Sequence, residues 1–189
     1  MKEGEVAIQI HKPDASEMIF FFLCGVIISV PLTLFIYQYT ESLLVGLDPF
    51  TIALVSRVIF APFVEEFSKA YPLFYRHGET QRSIFNLAAI VGLGFGLVEM
   101  LTYVSVLGAS LTDRLPGLIF HPASTAVTAY GIATKRPLPF YLIAVSLHLT
   151  NNYFALTRTF PLLVSVFVVA LTVFAFWQLR NRTKEKIVV

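Results

Sequence analysis

Phe63-Val64-Glu65-Glu66-Phe67-Ser68-Lys69 sets two carboxylates and an ammonium inside a run, 49–75, that is otherwise apolar enough to cross a bilayer. Ionisable groups at the centre of a bilayer cost roughly 3 kcal/mol or more each, so they face a protein interior or a wet cavity and mark a candidate functional site. Three further apolar runs carry such groups: Glu99 in one, His121 in the next, and the pair His148 and Asn152 in a third.

The chain around this stretch is 56% hydrophobic and only 14% charged over 189 residues, which excludes a disordered or ordinary cytosolic protein. About 20 apolar residues span a bilayer as a helix, and six such runs follow one another: 18–39, 49–75, 84–110, 115–133, 138–156 and 160–179. The expected fold is therefore all-α, a polytopic membrane bundle of six transmembrane helices in one domain over 18–180. A polar segment, 1–17, precedes it and a basic cytoplasmic tail, 181–189, follows. The first run lacks a small-residue cleavage site and reads as a retained helix. Cys24 is the single cysteine, so no intrachain disulfide is expected.

Loop charges give the orientation. The N-terminus, the 76–83 and 134–137 loops and the C-terminal tail together hold ten Lys and Arg, and the opposite loops hold only Arg114 and Arg158. Both termini are then cytoplasmic in a multi-pass protein of the cell membrane. The net charge of +2 is spread over short loops, so lipid bilayer and not nucleic acid is the expected surroundings. Arg57, in the outer half of the second run, receives no role. Counting from the cytoplasmic ends at 1.5 Å per residue puts Glu65, Glu99, His121 and His148 all at about 15–22 Å depth. Four unrelated polar groups would not be expected to share one layer.

Each group has a plain reading beside the functional one. Lys69 lies four residues after Glu65 and three after Glu66, so it leans between them and can pair with either. A structural ion pair accounts for one carboxylate and leaves the other without a cation on its own helix; such a group can serve as general base or acid. Pro62 removes a backbone hydrogen bond just before the pair and is expected to bend the helix. Gly92 and Gly96 form a small-residue face that lets another helix approach and hold Glu99 near its partners. His121 precedes Pro122, so its helix is expected to break there or to restart with His121 at an N-terminus. His148 and Asn152, four apart on one face, can both donate to an oxyanion, whereas Asn151 points elsewhere as helix glue.

These motifs, Glu65-Glu66-x-x-Lys69, Phe95-x-x-x-Glu99, His121-x-x-x-Thr125 and His148-x-x-x-Asn152, resemble the four ordered motifs of the PrsW and CAAX-prenyl-endopeptidase superfamily of glutamic-type intramembrane proteases. The likeness spans 63–152. It is closer to the PrsW branch: the CAAX branch reads Glu-Glu-x-x-x-Arg and ends its second motif in His, where this chain has Lys69 and Glu99. The resemblance implies an endopeptidase acting on membrane-anchored protein or peptide substrates, such as anti-sigma factors. Glu65 would be the base, Glu99 and His121 would help to hold the water, and His148 with Asn152 would stabilise the oxyanion. No cofactor is expected. A zinc-dependent variant is the alternative, disfavoured because His-Glu-x-x-His spacing is absent and Lys69 would oppose a dication. A non-catalytic scaffold, as in a γ-secretase subunit the superfamily resembles, and a proton-coupled transporter are the remaining readings.

Overall fold

The computed structural model describes residues 10–75 and 80–188. The greater part of the polar N-terminal segment, residues 1–9, and the centre of the 76–83 loop lie outside the described residues. Helix α1 (Ala15–Leu43) starts at Asp14, whose Oδ1 accepts the Glu17 amide at 2.8 Å. A composite rod follows: α2 (Pro49–Ala53), a π-helical stretch (Leu54–Phe60), α3 (Ala61–Ala70) and a 3-10 turn (Tyr71–Phe74). Then come α4 (Gln81–Ser105), α5 (Leu111–Ala133), α6 (Pro137–Thr157) and α7 (Pro161–Arg182). Among the described residues there are no strands, only an isolated bridge between Thr80 and Ile187.

The bundle exposes large apolar side chains and buries a charged cluster beside its apolar core. Leu163 and Phe167 on α7 are 68% and 67% exposed, while Glu66 and Lys69 are 0% exposed. In water that distribution would be inverted; against hydrocarbon it is the stable one. Helices α4 and α7 are long and apolar enough to cross a bilayer by length and composition. The rod at 49–74 is interrupted in its helical type, and α5 and α6 are diluted by the polar residues that build the site.

Helix α4 is the spine, packed against α1 and α5. Close approach explains its glycines. A Cβ on Gly92 would overlap the His121 carbonyl and sit 2.6 Å from the Pro122 Cα, and one on Gly94 would overlap the Phe22 carbonyl. The small-residue face thus does what its spacing predicts: Gly92 and Gly96 rest on α5 at His121.

One expectation is corrected. Helix α5 neither breaks nor restarts at His121-Pro122 but runs unbroken from Leu111 to Ala133 with Pro116 and Pro122 inside it. Close packing of the His121-Pro122 backbone on Gly92 of α4 accompanies the unbroken helix; neighbouring helices are one of the means by which a membrane helix carries proline. Upstream of Pro62 the distortion takes the form of the π-helical stretch, a widened turn that absorbs the bend. The C-terminal residues pair with the start of α4: the Gln81 and Arg82 amides donate to the carbonyls of Lys186 (3.0 Å) and Lys184 (3.3 Å), and Thr183 is buried. That pairing puts the start of α4 and the end of α7 at the same end of the bundle.

Candidate active site

Helix α3 presents Glu65, Glu66 and Lys69 inward, all three buried. Lys69 Nζ lies 2.7 Å from Glu66 Oε1, 2.9 Å from His121 Nδ1 and 3.4 Å from Ser124 Oγ. It therefore pairs with Glu66 and not with Glu65, because the three-residue spacing puts the ammonium over Glu66 while α5 closes the other side. An ammonium only donates, so His121 Nδ1 accepts and its Nε2–H donates to Glu99 Oε2 at 2.7 Å. The Lys69 ammonium also stands 5.1 Å from the centre of the Phe95 ring, a cation–π contact.

Glu66 is saturated. Besides Lys69 it accepts His148 Nδ1–H at 2.9 Å and the Ser124 hydroxyl at 3.1 and 3.3 Å. Holding Nδ1 turns His148 Nε2 toward Glu65 Oε2, 3.8 Å away. That separation is too long for a hydrogen bond, and Glu65 Oε2 is a buried oxygen with no hydrogen-bond partner among the described residues.

Glu65 and Glu99 also line a cavity of about 300 Å³, shared with Ser56, Tyr103, Asn152 and three arginines. Liquid water takes about 30 Å³ per molecule, so the space holds several. Glu66, His121 and His148 stand behind this wall. Asn152 is on the wall, but its Nδ2 donates to the Arg57 carbonyl at 3.0 Å, tying α6 to the π-helical stretch.

All seven residues singled out in the sequence thus fall in one neighbourhood: Glu66, Lys69, Glu99, His121 and His148 form one hydrogen-bonded cluster, with Glu65 and Asn152 beside it. Sequence reasoning missed Ser124; its position three residues after His121, on the same helical face, was the available signal. It also gave no role to Arg57, Arg114 or Arg158, which come together only through packing. Asn151 accepts the Ser165 hydroxyl at 2.6 Å and joins α6 to α7, as expected of helix glue.

A helical bundle with an apolar exterior that buries a carboxylate, imidazole and ammonium cluster beside a cavity is the arrangement expected of a membrane-embedded hydrolase. Within that class the chain belongs to the PrsW family: the family model described as PrsW family intramembrane metalloprotease matches residues 14–178, α1 through most of α7. No curated protein and no solved structure matches the chain. It is accordingly a membrane protein and an intramembrane protease.

The family description names a metal, and the chemistry of one donor set suits zinc: Glu66, His121 and His148 each offer a ligand atom, all within 4.8 Å of one another. The geometry does not fit. Lys69 Nζ, 2.7 Å from Glu66 Oε1 and 2.9 Å from His121 Nδ1, holds the place a dication would take, and a like charge at that range opposes one.

Proposed function

We propose that the protein hydrolyses a peptide bond of a membrane-anchored protein by a metal-free, glutamic-type mechanism, with Glu65 as the base. One observation carries this reading: Glu65 lines a cavity large enough for water and a peptide carbonyl, and its buried Oε2 has no hydrogen-bond partner among the described residues. Glu66, held by Lys69, His148 and Ser124, orients His148 and balances Lys69.

In the proposed reaction a water molecule sits between Glu65 and Glu99. Glu65 takes one proton as the water oxygen adds to the carbonyl carbon, and the carbonyl oxygen becomes an alkoxide. The second N–H of Asn152 and the Nε2–H of His148 in its imidazolium form hydrogen-bond to it, the usual way such charge is stabilised. The carbon–nitrogen bond then breaks, Glu65 returns the proton to the leaving amine, and the carboxyl product departs. His121 touches neither water nor substrate in this scheme; it positions Glu99 through its Nε2–H. The setting is six spans with both termini cytoplasmic, supported by the ten-to-two loop charge asymmetry.

The test is purified protein in liposomes with a membrane-anchored substrate, wild type against Glu65→Gln. Loss of cleavage with an unchanged unfolding temperature supports the assignment; retained cleavage removes Glu65 from the mechanism. The zinc reading keeps one observation in its favour, the Glu66, His121 and His148 donor set, and requires Lys69 to swing away.

A further inference from the structure

The loops opposite the termini are nearly stripped of basic residues, yet the three arginines at that end of the bundle, Arg57, Arg114 and Arg158, all line the cavity that holds Glu65 and Glu99. They come from three different elements: the π-helical stretch, the first turn of α5 and the C-terminal cap of α6. Resting on the proteolytic reading above, we propose that this arginine vestibule recognises a carboxylate side chain of the substrate and so sets which bond enters the site.

Two details point to an anion and not to general packing. Arg114 stacks its guanidinium on the Tyr103 ring, 3.5 Å from the ring centre, which fixes the plane of the fork. Its Nε is buried with no hydrogen-bond partner among the described residues, and a planar guanidinium held that way offers a carboxylate a directed, charge-assisted bond. The cavity lining holds three guanidinium groups against two carboxyl groups, so an entering acid is favoured and an entering lysine is not.

Helical rise gives the spacing. Arg57 is eight residues from Glu65 and Arg158 ten from His148, or about 12–15 Å from the layer of the chemistry, while Arg114 is one turn from Gly117, which lies beside the Glu99 carboxylate. An extended peptide covers about 3.3 Å per residue, so the recognised acid lies about three to five residues from the scissile bond, on the side away from the protease termini.

The experiment uses the full chain in phosphatidylcholine liposomes and three membrane-anchored substrates that differ only by Asp, Asn or Lys at those positions. Wild type is expected to cleave the Asp substrate about tenfold or more faster than the Asn substrate in kcat/KM, and the Lys substrate slowest. Arg114→Met and Arg158→Met should bring the Asp-to-Asn ratio toward one, and Arg114→Glu should favour Lys over Asp. A ratio that stays at the wild-type value in every variant overturns the vestibule. So does a wild type without preference, or a uniform loss on all three substrates, the signature of arginines that merely anchor the bundle to lipid phosphates. Cross-linking of the same three segments to Glu65→Gln protein reads the preference without turnover. If wild type cleaves nothing, the proteolytic reading fails, while Asp-selective cross-linking would still support the vestibule and unselective cross-linking would overturn it.

Discussion

Lys69 and Glu66 form an ion pair of 2.7 Å in which both side chains are fully buried. Taking two charges out of water is costly, and the pair persists because His121, His148 and Ser124 complete its hydrogen bonds. In the proposed mechanism these two residues support the site and the fold together, whereas Glu65 serves the chemistry alone.

Removing one partner is the first prediction. Lys69→Met strands a buried carboxylate and should cost about 3–5 kcal/mol, whereas Lys69→Met with Glu66→Gln should regain much of that loss. Thermal unfolding in detergent reads the stability and liposome cleavage the activity. The double variant should fold and stay inactive, because His148 loses its charged acceptor. A double variant no more stable than the single one would contradict the assigned pairing.

Glu65 should behave in the opposite way. Its Oε2 has no hydrogen-bond partner to lose, so Glu65→Gln should move the unfolding temperature little while lowering kcat by about a hundredfold or more, the scale of a lost general base. Glu66→Gln should lower both. If Glu66→Gln instead kept wild-type stability and alone abolished cleavage, the roles of the two acids would be exchanged.

Helix approach gives a third prediction. A methyl at Gly92 would overlap the His121 carbonyl and the Pro122 backbone, which cannot move aside as a flexible side chain would. Gly92→Ala should cost about 1–3 kcal/mol by overpacking and reduce cleavage by displacing His121 from Glu99. Gly46→Ala, at φ +96° with open space around it, should be strained locally and leave the relative activity of the folded protein unchanged. Equal effects from the two would detach activity from the α4 and α5 contact.

The fourth concerns metal. With the Lys69 ammonium inside the Glu66, His121 and His148 set, cleavage should survive chelator dialysis, and stoichiometric zinc should be absent from active protein by elemental analysis. Loss of activity on chelation, restored by zinc, would favour the metal reading, and Lys69→Met would then be expected to bind zinc more tightly.

Much of the site was legible in the chain because burial of charge in an apolar run is a local signal. Glu65, Glu66, Lys69, Glu99, His121 and His148 each stood out against twenty residues of hydrocarbon, and the shared depth followed from helical rise alone. The glycine face of α4 was legible for the same reason, since small residues four apart have one outcome when helices pack. The continuity of α5 through Pro122 was not. Proline's local preference is against the helix, and it is the packing of α5 on Gly92 of α4, a contact between distant segments, that overrules it.

Sequence by itself therefore determined the helical class, the apolar exterior and the list of ionisable groups kept inside, since each is fixed by the cost of placing that residue type in hydrocarbon. Only the tertiary structure decided how those groups divide. Spacing let Lys69 reach either acid, and the packing of α5 and α6 against α3 gave it to Glu66, left Glu65 facing the cavity, and brought arginines from three separate elements to the mouth. Such choices turn on hydrogen-bond partners supplied by distant segments, and no single helix carries that information.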